Sequence, residues 1–206
     1  MESKSANAAA TQPAGQADRI RVWDPLVRIF HWSLVGFFTL AWLSAEEIQF
    51  LHEWSGYAVA GLVGFRLIWG VIGTRYARFT NFVYRPSTVM AYLRSMLTRK
   101  PRHYTGHNPA GGAMVVVMLL MLALLTFTGM ALVAIEGGGP LAGTVFATFS
   151  EGWVKDIHEL VANLMLLLVA AHVAGVIVSS VLHRENLVRS MLTGMKRRHA
   201  ETEDQA

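Results

Sequence analysis

Histidines are the residues of this sequence whose type and spacing point most directly to chemistry. Of the eight histidines, four lie in or at the edges of long apolar stretches: His31, His52, His158 and His172. An ionisable side chain in such a place is costly in hydrocarbon and usually functional. On a helix, the step from His158 to His172 gives about 21 Å of rise and nearly four whole turns. Both imidazoles should therefore project from one helix face, at two different depths.

The direction of the chain gives each of these two histidines a partner at its own depth. If the apolar stretches cross a membrane in turn, His31 reaches the level of His172, and His52 the level of His158. Helix bundles build cofactor sites from side chains on facing helices. Neutral imidazoles on opposite sides of a flat ring are axial ligands of haem iron. The sequence therefore predicts two bis-histidine haem sites, His31/His172 and His52/His158.

Two other interpretations of these histidines stay open. Each imidazole could instead hydrogen-bond across the helix interface without binding anything. A metal-transport site is the second alternative, but hydrolytic and transport sites favour ligands one helical turn apart, and no apolar stretch contains His-x-x-x-His. His103 and His107 have that spacing, but they lie in a segment broken by Gly106 and Pro109.

Four apolar stretches must position the histidines. The chain has 206 residues, of which 53% are hydrophobic, and stretches of about 17 to 25 apolar residues can span a bilayer. A soluble protein with buried helices would have too little polar sequence left to cover four such stretches. We therefore predict an all-α, integral membrane four-helix bundle. Its spans are 27–45, 54–73, 112–134 and 157–182.

Local signals outside the spans complete the predicted organisation. Asp24-Pro25 is typical of an N-cap followed by proline in the first helical position. Residues 187–198 are expected to continue the fourth helix. The bundle domain would cover residues 19–198, with disordered tails at 1–18 and 199–206. Cysteine is absent from the sequence, which excludes disulfides, thiolate metal sites and covalently attached c-type haem.

Charge predicts the orientation of the bundle. The segment between the second and third spans, residues 74–111, carries seven basic residues and no acidic one: Arg75, Arg78, Arg85, Arg94, Arg99, Lys100 and Arg102. Basic connections stay in the cytoplasm, and both chain ends are also basic, so we predict cytoplasmic N and C termini. Residues 87–98 should form a short amphipathic helix on the membrane surface. The excess of basic over acidic residues is thus explained by membrane topology and contact with membrane lipid, not by nucleic-acid binding.

Arg66 is a charge within the second span. It follows His52 by fourteen residues, so it lies on nearly the same helix face, about 21 Å deeper. There it could pair with a propionate of the inner haem through a bidentate, charge-assisted contact. The alternative is that the guanidinium extends to the cytoplasmic headgroups.

Several segments resemble the bacterial cytochrome b561 family, which includes the b-type cytochrome subunits of nickel–iron hydrogenases. The first is Val22-Trp23-Asp24-Pro25-Leu26-Val27-Arg28-Ile29-Phe30-His31-Trp32. The others are Leu51-His52-Glu53-Trp54-Ser55-Gly56-Tyr57, Arg66-Leu67-Ile68-Trp69-Gly70, Gly106-His107-Asn108-Pro109-Ala110-Gly111-Gly112, His158-Glu159 and His172-Val173-Ala174-Gly175. Together they cover residues 20–198. The family's ligands lie on the first, second and fourth spans, which matches His31, His52, His158 and His172.

The resemblance implies a di-haem b cytochrome of the bacterial inner membrane that exchanges electrons between quinone and a redox protein. That protein would be a cytochrome c or a hydrogenase module, and the lack of a fifth span favours the former or a stand-alone protein. A homodimer stays open. From the topology, His107 with Arg66 and Arg28 could form a quinone site on the cytoplasmic side, or Glu53 and Glu159 could form one on the outer side. The alternatives are a quinone-linked oxidoreductase acting on a small species such as superoxide, and a metal or proton transporter, so the sequence does not decide whether this is an enzyme.

Overall fold

The computed structural model describes residues 19–98 and 104–197, so both predicted tails and His103 lie outside the described residues. The elements follow in chain order: strand β1 (Arg19–Arg21), helices α1 (Pro25–Ser44), α2 (Gln49–Ile72), α3 (Pro86–Leu97), α4 (Pro109–Ile135), α5 (Glu151–Leu182) and α6 (Leu187–Thr193), and strand β2 (Met195–Arg197). Four of these helices, α1, α2, α4 and α5, are long and apolar enough to cross a membrane. The predicted fold class, an all-helical membrane bundle of four spans, is confirmed.

The helices begin earlier than the apolar stretches that indicated them. α2 begins at Gln49 and α5 at Glu151, each several residues before the predicted span. Hydropathy identifies only the apolar stretch that can lie in the hydrocarbon of a membrane. The helix that contains this stretch can continue through polar residues at either end. As a result His52 lies within the first turn of α2, and His158 within the second or third turn of α5.

Asp24 fixes the start of α1 and ties it to the end of α2. Its carboxylate accepts a hydrogen bond from the Val27 backbone N–H at 3.0 Å, which confirms the predicted N-cap. The same carboxylate accepts hydrogen bonds from Thr74 Oγ1 at 2.6 Å and Trp69 Nε1 at 3.3 Å. Burial alone would raise the pKa of Asp24, but these three donors outweigh it and lower the pKa. The α1–α2 hairpin is therefore closed by one carboxylate.

Three close helix contacts organise the bundle. α1 packs against α2, α4 packs against α5, and α2 joins the two hairpins by packing against α4. The buried centre of this α2–α4–α5 contact consists of Val59, Val63, Leu122 and Met165. Among the described elements, no comparable close packing joins α5 to α1 or to α2. The histidine-bearing faces of α1 and α2 thus approach α5 through side chains, not through close backbone contact.

The two ends of the described chain meet in a short antiparallel ribbon. β1 pairs with β2, with Arg19 opposite Arg197 and Arg21 opposite Met195. Our prediction that residues 187–198 continue the fourth helix is wrong, because α5 stops at Leu182 and Asn186 caps the separate helix α6. Gly194 then takes a left-handed conformation (φ 81°) that turns the chain back towards Trp23. Both described ends therefore lie at one end of the bundle, here called the terminal end.

The surface helix between the second and third spans is present as α3. Pro86 occupies its first turn, as the fixed φ of proline favours. Tyr92 is the buried side chain of this helix, whereas Met90 and Leu93 are exposed.

Candidate functional site

The structure brings the four span histidines together as two pairs. The ring centroids of His31 on α1 and His172 on α5 are 6.5 Å apart, with 49° between the ring planes. The centroids of His52 on α2 and His158 on α5 are 6.1 Å apart, with 77° between the planes. These are the partners that the order of the spans predicts. The His31/His172 pair is the nearer of the two to the terminal end.

Both separations fit a metal ion held between two imidazoles. A metal–imidazole bond is about 2 Å long, and the ring centre lies about 1 Å behind the bonding nitrogen, so two opposed ligands place their centroids about 6 Å apart. Hydrogen-bonded imidazoles would lie closer together. The described residues contain no group of three or more His, Cys, Asp or Glu side chains that could hold a bare metal ion. Two ligands per site suit a metal whose other positions are filled by a macrocycle.

Hydrogen bonds hold the His52/His158 pair through the Nδ1 atom of each ring and leave Nε2 free. The Nδ1 atom of His52 is 2.9 Å from the carbonyl oxygen of Ala41, and the Nδ1 atom of His158 is 2.9 Å from Thr128 Oγ1. A carbonyl oxygen can only accept, so Nδ1 of His52 carries the proton and its Nε2 has a free lone pair. Haem and metal ligands commonly have this arrangement, in which the second nitrogen donates to an oxygen.

The His31/His172 pair is less constrained by hydrogen bonds. The Nδ1 atom of His31 is buried and has no hydrogen-bond partner in the described part of the chain. A buried imidazole nitrogen without a partner is costly, and binding a metal or a ligand would satisfy it. The donor set and spacing of both pairs therefore fit haem b.

Comparison with known proteins identifies the family. The family model described as prokaryotic cytochrome b561 matches residues 22–194. This chain belongs to the prokaryotic cytochrome b561 family. It is a multi-pass bacterial membrane protein and a b-type cytochrome of electron transfer. No solved structure matches it.

The similar curated proteins are all named as hydrogenase subunits. A probable Ni/Fe-hydrogenase B-type cytochrome subunit of Rhizobium leguminosarum bv. viciae is 25% identical, over 89% of this chain and 91% of that protein. Subunits with the same name from Azotobacter vinelandii and Cupriavidus necator are 27% and 25% identical, over 86% and 85% of this chain and 88% and 86% of their own lengths. Each match therefore extends over most of the length of the relative.

Arg66 is buried at the terminal end of the cytochrome and does not extend to the surface. Its side chain is 3% exposed, and its Nη2 atom donates to the Ala77 carbonyl oxygen at 3.0 Å. The guanidinium lies over the rings of Phe79 at 4.9 Å and Phe82 at 5.6 Å, measured to the ring centroids. The guanidinium of Arg66 is therefore enclosed by the protein and does not extend to the headgroups. The Nη1 atom is buried without a hydrogen-bond partner among the described residues.

His107 and Arg28 both lie at the terminal end, but no contact between their side chains is found among the described residues. The ring centroid of His107 is 4.6 Å from that of Trp23 and 4.7 Å from that of Phe82, and its Nδ1 atom is buried without a described partner. Arg28 donates from Nη1 to the Leu192 carbonyl oxygen, while its Nε atom is buried and has no hydrogen-bond partner within residues 19–98 and 104–197. The aromatic neighbours of His107 were not predicted, since Phe82 follows α2 in a segment with no regular sequence pattern.

The ionisation of His107 predicts an acid-sensitive fold. Burial, reinforced by the positive charges of Arg66 and Lys196 and by His172, lowers the pKa of His107 to about 3. The unfolded chain binds this proton near pH 6.5 and the folded chain does not, so stability should fall by up to about 1.4 kcal/mol per pH unit below that value. We expect His107→Gln to reduce this slope in detergent unfolding experiments between pH 6.5 and 4.5. An unchanged slope in the variant would show that other groups cause the acid sensitivity.

Proposed function

We propose that this cytochrome holds two haem b groups and transfers electrons across the bacterial inner membrane between quinone and a redox protein. His31 and His172 would ligate one iron, and His52 and His158 the other. The observation that carries the proposal is the presence of two imidazole pairs, 6.5 Å and 6.1 Å apart, on three membrane-spanning helices. Haem b, when bound, supplies one-electron exchange between ferrous and ferric iron.

The protein's contribution is ligation, orientation and control of local charge. Ala41 and Thr128 would hold the imidazoles of His52 and His158 through contacts to their Nδ1 atoms. The unpartnered Nη1 atom of Arg66 would donate to a propionate carboxylate of the inner haem. A buried guanidinium without a paired carboxylate is costly, and no ion pair of 4.0 Å or less to Arg66 is found among the described residues, which supports an anionic partner.

Charge supports an orientation with the terminal end in the cytoplasm. The segments at that end carry most of the basic residues, and cytoplasmic connections are enriched in arginine and lysine. His31 and His172 would then form the inner site. His107, which packs against Trp23, and Arg28 at the same end would form the quinone site. With its pKa lowered to about 3, His107 would hydrogen-bond a quinone oxygen but would not store its proton.

The names of the similar proteins favour a hydrogenase-like module as the redox partner over a cytochrome c. Those proteins are named as B-type cytochrome subunits of Ni/Fe-hydrogenases, and the match covers nearly all of each. Membrane lipid would surround the bundle, and a second copy of the chain is a further partner to test. Neither a transporter nor an oxidoreductase acting alone on a small species is favoured by any contact in the described residues.

The proposal is tested with purified protein in liposomes. Duroquinol is added, haem reduction is followed by absorbance near the α-band, and ferricyanide, which does not cross membranes, is then added outside. We expect quinol to reduce the haem and ferricyanide to reoxidise it, while liposomes without protein show neither change. Haem that quinol cannot reduce would refute the quinone link. Sustained turnover with superoxide as the only other reactant would replace the proposed subunit role by a stand-alone enzyme.

A further inference from the structure

The hydrogen bonds around the four histidines are unequal. His52 donates to a backbone carbonyl, His31 Nδ1 is buried without a described partner, and His158 meets a side-chain hydroxyl. Thr128 supplies that hydroxyl from the C-terminal third of α4, and it is 5% exposed. A substitution can remove a side-chain partner but not a backbone carbonyl. The contact between Thr128 and His158 can therefore be removed while all four histidines are kept.

The other hydrogen bonds of Thr128 determine where its hydroxyl hydrogen points, and so which group donates between Thr128 and His158. Its Oγ1 atom lies 3.0 Å from the Leu124 carbonyl oxygen and 2.9 Å from the Leu125 carbonyl oxygen. These carbonyls can only accept, so the single hydroxyl hydrogen is directed to them, and the oxygen lone pair is left for His158. His158 must then donate from Nδ1, and the lone pair of its ring lies on Nε2.

The backbone next to Thr128 also limits where the ring can lie. A Cβ atom at Gly129 would be 3.2 Å from Cε1 and 3.7 Å from Nδ1 of His158. The imidazole is therefore packed directly on the α4 backbone, where its hydrogen-bonding partner is fixed. On its other side the ring meets His52 at a centroid separation of 6.1 Å.

We propose that Thr128 is a positioning residue that sets the tautomer, orientation and electron donation of His158, and so lowers the midpoint potential of one haem only. The proposal rests on the proposed function, since it requires His158 to be an axial ligand. Donation from Nδ1–H to an oxygen makes Nε2 more basic. A more basic ligand stabilises ferric over ferrous iron, and ligand hydrogen bonding is one of the protein's means of tuning a haem potential.

The test is a redox titration of the purified, haem-loaded protein and three variants. Thr128→Val removes the hydroxyl with little change of shape, and Thr128→Ser restores it. Thr126→Val is the matched control, because Thr126 lies one half-turn away on α4 and, within the described part of the chain, its hydroxyl bonds only to the Leu122 and Ala123 carbonyls. We expect Thr128→Val to raise one of two midpoint potentials and leave the other unchanged, with Thr128→Ser and Thr126→Val close to the parent protein.

Other results would overturn the inference. If Thr128→Val keeps both haems and neither potential moves, Thr128 has no positioning role. If both potentials move together, or if Thr126→Val gives the same shift, the effect is a general one of α4 packing. Should Thr128→Val bind less haem, Thr128→Ala takes its place, and the same criteria apply to it. Haem content of the parent protein is measured beside these titrations, so failure of the ligand assignment is distinguished from failure of the Thr128 assignment.

Discussion

Alanine in place of any one of His31, His52, His158 and His172 should reduce the haem content of the purified cytochrome by about half, from about two per chain to about one. An axial imidazole on one helix holds the iron against an imidazole on another, so loss of either ligand should release the same haem. The measurement is a pyridine haemochrome assay normalised to protein. His183→Ala is the control histidine variant. His183 caps the end of α5 and lies 3.4 Å from the Tyr92 hydroxyl.

Double variants test the pairing itself. His31→Ala with His172→Ala should lose no more haem than either single variant, because both changes affect the same site. His31→Ala with His158→Ala should lose both haems, because the changes affect different sites. Such non-additivity within a pair and additivity between pairs is expected of residues that act as a unit. Equal losses in the two double variants would contradict the assigned pairs, whatever the single variants show.

Asp24→Ala should destabilise the cytochrome by about 3 to 5 kcal/mol. Loss of an N-cap costs roughly 0.5–2 kcal/mol, and a hydrogen bond to a charged group contributes about 1.5–3 kcal/mol. The Asp24 carboxylate has both functions, since it caps α1 and accepts from Trp69 and Thr74. Unfolding by denaturant in detergent, followed by circular dichroism, measures the difference.

Asn108→Ala is the matched control for Asp24. Asn108 is also followed by proline and also caps a membrane-spanning helix, with its Oδ1 atom accepting from the Gly111 backbone N–H at 2.7 Å. It makes the cap alone, so we expect a loss of about 1 kcal/mol. Equal losses at the two positions would show that the contacts of Asp24 to the end of α2 add nothing to stability.

Acid should remove the contribution of the Asp24 carboxylate to the stability of the parent protein. The pKa of Asp24 is lowered in the fold by the hydrogen bonds from Thr74, Val27 and Trp69, which outweigh burial. Its contribution is complete above the unfolded value of about 3.9 and is lost as pH falls through the lowered folded value. Acid sensitivity that begins near pH 6.5 therefore belongs to histidines, and Asp24 contributes only at lower pH.

The histidine pairs could be predicted because they depend on two regular quantities. The span order fixes the direction of each helix, and the rise per residue fixes the depth of each histidine. The N-cap at Asp24-Pro25 could be predicted as well, because a cap depends on local sequence alone. These features need no knowledge of which helix packs against which.

Other features depend on contacts between distant segments and could not be predicted. Thr128 is one of several hydroxyl residues in apolar helices, and only the packing of α5 on α4 selects it as the partner of His158. Arg66 is covered by Phe79 and Phe82, which lie in a segment without a periodic pattern. The β1–β2 ribbon joins residues more than 170 positions apart, and strands of three residues leave almost no pattern to detect.

The presence of two bis-histidine haems in one chain can be measured by counting haem in the intact protein and recording the electron paramagnetic resonance spectrum of its ferric form. We expect about two b haems per chain, both low-spin, because each iron would have two imidazole ligands. Absence of haem from protein made in haem-replete cells, or a single high-spin haem, would contradict it.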